Sequence, residues 1–168
     1  MSIANIIPDL TVHWRLLQTG DEGLQFSACL YAMLSPDKKR IVYLGKAWRA
    51  TVAERLRCRA KDGLWMHLDE RRISKCNVLL GELLLPQGRR LSGELLSDVE
   101  SLLIMGEQPT GNVQSMTSRI DRPGLCVACT GRWPGCAKNY FDGDVRAYEK
   151  RYGPMSPALR RKVQQLEA

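Results

Sequence analysis

Apolar and polar positions follow two periods along this chain, and each period marks its own elements. Residues 25–34 and 40–45 are rich in aromatic and β-branched side chains, with Ser35-Pro36-Asp37-Lys38-Lys39 between them. Turn chemistry flanked by such runs predicts a β-hairpin. Residues 12–17, Val-His-Trp-Arg-Leu-Leu, suit an opening strand or a short helix equally well. Thr51 and Glu54 form a capping-box pattern, so a helix should start there and run to about Ala60, before Asp62-Gly63 ends it. The apolar run from Cys76 to Leu85, halted by Pro86, reads as a buried strand. Ser92 then opens a second helix, in which Leu95, Leu96, Val99, Leu102 and Leu103 recur at helical spacing and which should stop near Gly106. The polar segment from Pro109 to Arg122 predicts a loop, and Gly124 to Gly131 a strand. A glycine-rich connection with Trp133 and Pro134 follows. Val145 to Tyr152 suits a short helix broken by Gly153-Pro154, and Ser156 to Ala168 a terminal helix carrying Arg160, Arg161 and Lys162.

This alternation of strands and helices places the chain in the α/β class. With 168 residues, 44% of them hydrophobic, it can bury one core, so a single domain over 1–168 is expected. The 25 Lys and Arg against 18 Asp and Glu leave a formal charge of +7, which favours a polyanionic partner such as DNA. A solvated basic surface with no such partner would give the same count. Met1 to Leu10 lacks the basic and apolar regions of a secretory signal, which points to a cytoplasmic protein. The greasiest stretch, Val78 to Leu85, is interrupted by Gly81 and Glu82 and is far short of the ~20 residues a membrane span needs. The six cysteines are dispersed, so reduced thiols are expected. Cys126 and Cys129, with Cys136 downstream, raise the question of zinc. On a strand, however, an offset of three sends the two thiols to opposite faces.

Candidate chemistry concentrates in two places. Tyr31 and Tyr43 lie symmetrically about Asp37, so a hairpin turning there sets the phenols opposite one another on one sheet face. Cross-strand packing alone would account for the pair. Glu100 sits beside the apolar stripe of the second helix, with Leu96, Leu103 and Ile104 one turn away. A carboxylate there needs a cation, either a metal or a basic side chain.

Cys29-Leu30-Tyr31 and Tyr43-Leu44-Gly45 resemble the two elements that name the GIY-YIG endonuclease family. Glu100-Ser-Leu-Leu-Ile104 followed by Pro109 and Asn112 resembles that family's metal-binding helix and its downstream Pro and Asn. The resemblance spans about residues 26–112, leaving 113–168 as a C-terminal elaboration. It implies a small α/β domain with a central, mostly antiparallel sheet flanked by helices. It implies also a metal-dependent hydrolysis of DNA phosphodiester bonds using one Mg²⁺ or Mn²⁺ ion. Under it, Glu100 holds the ion, Tyr31 takes a proton from the attacking water, and Tyr43 positions water or phosphate. Arg55, twelve positions after Tyr43, contacts the scissile phosphate, with Arg57 as the rival on the same helix. Lys46 follows the second element as in the family's repair-nuclease branch, Gly45 lets the backbone turn tightly, and Asn112 supports the site. His67 falls where many members carry a histidine or lysine, whereas Arg59 stands where the family has a histidine or tyrosine. The alternative is a module of the same fold that binds nucleic acid without cutting it. An unrelated basic domain would require both motif clusters to be coincidental. No second DNA-binding domain is evident, so either specificity is low, or a homodimer or partner supplies it, or the C-terminal third contributes.

Overall fold

A computed structural model describes residues 10–18, 20–57, 77–112, 120–158 and 160–161. The fold is α/β. Its sheet joins β1 (Leu10–Leu16), β2 (Cys29–Leu34), β3 (Ile41–Ala47), β4 (Asn77–Leu84), β5 (Cys126–Gly131) and β6 (Asn139–Phe141) in the order β3-β2-β4-β1-β5-β6. The β1–β5 pairing is parallel and the other four are antiparallel, so the sheet is mixed. The helices are α1 (Val52–Leu56), α2 (Gly93–Glu107) and α3 (Val145–Tyr152).

Of residues 12–17, ambiguous by periodicity, all but Leu17 belong to a strand: Leu10, Val12 and Trp14 are buried while His13 is exposed, a period of two. The buried set joins Leu30, Ala32, Leu34, Leu44 and Leu79 in the main core beneath α2, whose Leu95, Leu96, Val99, Leu102, Leu103 and Ile104 form the facing stripe. The sheet's other face carries a smaller core of Leu17, Cys29, Tyr31, Ala47 and Leu80, closed by Val52 and Leu56 of α1. Helices α1 and α2 therefore cover opposite faces. Trp14 is fully buried, stacks on Trp133 with ring centroids 4.7 Å apart, and lies over Gly81, where a Cβ would come within 2.7 Å of the indole. Trp133 and Tyr140 are packing residues: the Trp133 indole N–H donates to Ala137 O at 3.0 Å and to the Tyr140 hydroxyl at 2.9 Å.

The capping box at Thr51 and Glu54 forms as expected, both hydrogen bonds being present. The continuation of α1 to Ala60 and the stop at Asp62-Gly63 lie outside the described residues. Helix α2 ends near Gly106 as expected, at Glu107, but the residue that turns the backbone out of the helix is Gln108, with a φ of 48°. Gly106 serves packing instead, leaving space for the Tyr140 ring. Strand β6 is an addition to the elements expected from sequence; three residues are too few to display a period. Cys126 and Cys129 do point to opposite faces, one packed with Tyr148 and Met155 and the other in the main core. Burial pushes the Cys129 thiol up to about 12.

Candidate functional site

The edge strand β3 organises the residues singled out by the sequence. Its pairing with β2 sets Tyr31 against Gly45 and Tyr43 against Met33. The expected face-to-face pairing of Tyr31 with Tyr43 is therefore displaced by two residues: the hairpin turns one residue later, with Leu34 facing Ile41, and the bulge at Met33–Leu34 adds the other. The phenols still share a face as diagonal neighbours, stacked with centroids 6.0 Å apart. Gly45 lies inside β3 and not at a turn, since the chain turns after it, at Arg49 with φ 57°. The reason for glycine there is space, because a Cβ would lie 2.6 Å from the Tyr31 ring and hydroxyl and 2.9 Å from Tyr43. Tyr31 is fully buried and Tyr43 half-buried.

Lys46, one residue after Gly45, projects to the opposite face and meets α2. Its Nζ donates to Glu100 Oε2 at 2.9 Å and to Ser97 Oγ at 2.8 Å, while Ser97 in turn donates to Gly93 O at 2.7 Å. Lys46 is thus a basic side chain of the kind that a carboxylate in this position was expected to meet. The Glu100 side chain is only 17% exposed and Lys46 32%, so the pair is partly shielded from solvent. Beside it opens a cleft of about 440 Å³ lined by Lys46, Trp48, Arg49, Ser92, Gly93, Glu94 and Ser97. Trp48 lies flat on Gly93, where a Cβ would fall 2.6 Å from its indole nitrogen, and so forms a fixed aromatic wall.

Arg55 is on α1, the side of the sheet that carries the tyrosines, and its Nε is buried without a hydrogen-bond partner among the described residues. Arg57, its rival, is exposed at the end of α1. Asn112 is buried and caps the open side of β3: its Oδ1 accepts from Leu44 N at 2.9 Å and its Nδ2 donates to Leu44 O at 2.8 Å. It thus offers Leu44 the bonds that a neighbour strand would, assisted by Gly111 N donating to Val42 O at 2.8 Å. His67 lies outside the described residues. The structure thus brings Tyr31 and Tyr43 together on one face, and Lys46 and Glu100 together on the other, with β3 between the two groups.

Two acidic residues escaped the sequence reading. Asp98 on α2 is buried at 3% exposure; its Oδ1 accepts from Asp121 N at 3.1 Å while its Oδ2 has no hydrogen bond among the described residues. Burial raises its pKa. Its position, one turn from both Leu95 and Leu102, was as informative as that of Glu100. Glu107 accepts hydrogen bonds from the Cys136 amide at 2.9 Å and from the Tyr140 hydroxyl, which ties the end of α2 to the C-terminal third. No signal in the sequence links residues so far apart.

Among the described residues no three His, Cys, Asp or Glu side chains converge as a metal cage. Glu100 alone suits an ion whose remaining positions are filled by water and phosphate oxygens, the usual arrangement for Mg²⁺ at a phosphoryl centre. No helix among the described residues is long and apolar enough to cross a membrane. No protein-family model, curated protein or solved structure matches the chain.

Proposed function

We propose that this protein is a metal-dependent DNA endonuclease of the GIY-YIG type, with its reactive residues distributed about the end of β3. The observation that carries the reading is Glu100: a partly buried carboxylate, held by the lysine of a Tyr-Leu-Gly-Lys strand, at the border of a cleft that also presents Arg49. Hydrolysis of a phosphodiester requires positive charge at the phosphate and a group that orients water. Lys46 and Arg49 supply charge on the α2 side, and Arg55, whose buried Nε has no partner among the described residues, supplies it on the α1 side. Tyr43 is the more accessible phenol, placed to orient water, while Tyr31 fixes its ring from behind. Glu100 would hold the Mg²⁺ or Mn²⁺ ion. When bound, such an ion stabilises the departing oxygen as a Lewis acid. A DNA strand crossing the free end of β3, beyond the section capped by Asn112, passes both groups of side chains.

A non-catalytic nucleic-acid-binding module is the second reading. It is favoured by the ion pair that neutralises Glu100 and by the placement of the phenols across the sheet from it. Supercoiled plasmid incubated with Mg²⁺, Mn²⁺ or EDTA separates the two. Nicking that needs the metal and falls at least about hundredfold in Glu100→Ala, with an unchanged circular dichroism spectrum, is expected of the nuclease. Plasmid bound but left intact under every metal would establish the binding module.

A further inference from the structure

Lys46 fills the same carboxylate that the proposed reaction needs for its metal, and it does so from the lining of an open cleft. We propose that Lys46 is an internal counter-ion, exchanged for the divalent cation at Glu100 when a DNA phosphate enters the cleft. The inference rests on the nuclease reading for the phosphate, but the exchange itself concerns only Lys46, Glu100 and the ion.

Three observations lead to it. First, Glu100 is mostly shielded from solvent, so leaving it unpaired would be costly, and some cation has to occupy it at all times. Second, among the described residues Lys46 is held by two acceptors, Glu100 at 2.9 Å and Ser97 at 2.8 Å, on a flexible four-carbon stem rooted in β3. Third, the ammonium has somewhere to go: Lys46 borders the cleft together with Arg49, so a rotation of its stem moves the charge from Glu100 towards an anion lying there. Charge is conserved in the exchange, because the phosphate accepts the ammonium as the carboxylate accepts the ion. Lys46 thereby keeps metal affinity low in the free protein and raises it where substrate is present.

The test is Mn²⁺ binding to the full chain without DNA, read from the electron paramagnetic resonance of free Mn²⁺. Wild type should bind weakly. Lys46→Gln should bind about tenfold more tightly, the equivalent of one charge-assisted hydrogen bond relieved, and the gain should vanish in Lys46→Gln/Glu100→Gln. Ser97→Ala, which loosens Lys46 without removing its charge, provides a second route should Lys46→Gln fold poorly, and should tighten binding several-fold through Glu100. A Lys46→Gln or Ser97→Ala protein that binds Mn²⁺ no more tightly than wild type, or a gain that survives Glu100→Gln, overturns the exchange. Since no arm contains DNA, this failure is distinct from failure of the nuclease reading, which the plasmid assay alone decides.

Discussion

At the level of single residues, Gly45 shows how a motif letter can be right for a reason other than the expected one. A glycine after Tyr-Leu suggested a tight turn, yet its backbone is extended and its contribution is the space in which two phenols stack. Gly45→Ala would drive a methyl group to 2.6 Å from Tyr31, whose ring is fully buried and has no free volume to retreat into. Destabilisation of about 1–3 kcal/mol is expected, measured as a lower urea midpoint with an unchanged slope. Stability equal to wild type would mean that the ring pair is looser than its geometry indicates. Tyr31, Tyr43 and Glu100 stood out in the sequence through local spacing, and Lys46 through the family resemblance. That Lys46, three positions after Tyr43 on one strand, faces away from it follows from alternation; which helix covers each face does not, since it is a long-range property.

Among the elements, β3 is the one whose stability depends most on a residue distant in sequence. An edge strand presents unpaired backbone groups, which cost stability when buried and invite pairing with other chains when exposed. Here the Asn112 carboxamide, 68 positions from Leu44, satisfies both groups of that residue. Asn112→Ala leaves a buried N–H and C=O without partners, a loss of about 2–4 kcal/mol. Hydrogen exchange should detect it locally, as faster exchange at Leu44 than in β1 and β4. Uniform acceleration across the sheet would count against a local cap. The hairpin, the α1 cap and the α2 stripe were legible because each is a short-range pattern. The parallel β1–β5 pairing and β6 were not, because strand order is a property of long-range contacts.

For the molecule as a whole, Asp98 couples α2 to the segment that leads into β5. Its carboxyl accepts from the Asp121 amide and lies 3.9 Å from Arg122, while Arg122 donates to Glu94 at 2.6 Å. Desolvation is the largest influence on Asp98 and raises its pKa above the unfolded value, which means that the native state favours the protonated acid. The sign follows from linkage: the contribution of this group is fully present below the ordinary carboxylate range and is lost as pH rises through its raised native value. Asp98→Asn keeps an acceptor for Asp121 and cannot ionise. Plotted against pH, the stability difference between variant and wild type should therefore shift in favour of the variant from about pH 4 upwards. A difference that is flat, or that shifts the other way, would show that Arg122 outweighs burial. Taking the difference isolates Asp98 from Asp21, Asp37, Glu54 and Glu149, whose lowered values push stability in the opposite direction.

The parallel contact between β1 and β5 also bears on how the chain assembles. His13 bonds to Thr130, 117 positions away, and among the described residues β1 otherwise pairs with β4. A strand whose neighbours are both remote in sequence cannot be completed early, and closing loops of that length slows the search for the native arrangement. On the ribosome, the β2–β3 hairpin has its partner strand at once, whereas β1 must wait, with Trp14 exposed, until β4 and then β5 emerge. The apolar face of β1 therefore stays open to a chaperone until both of those strands have emerged.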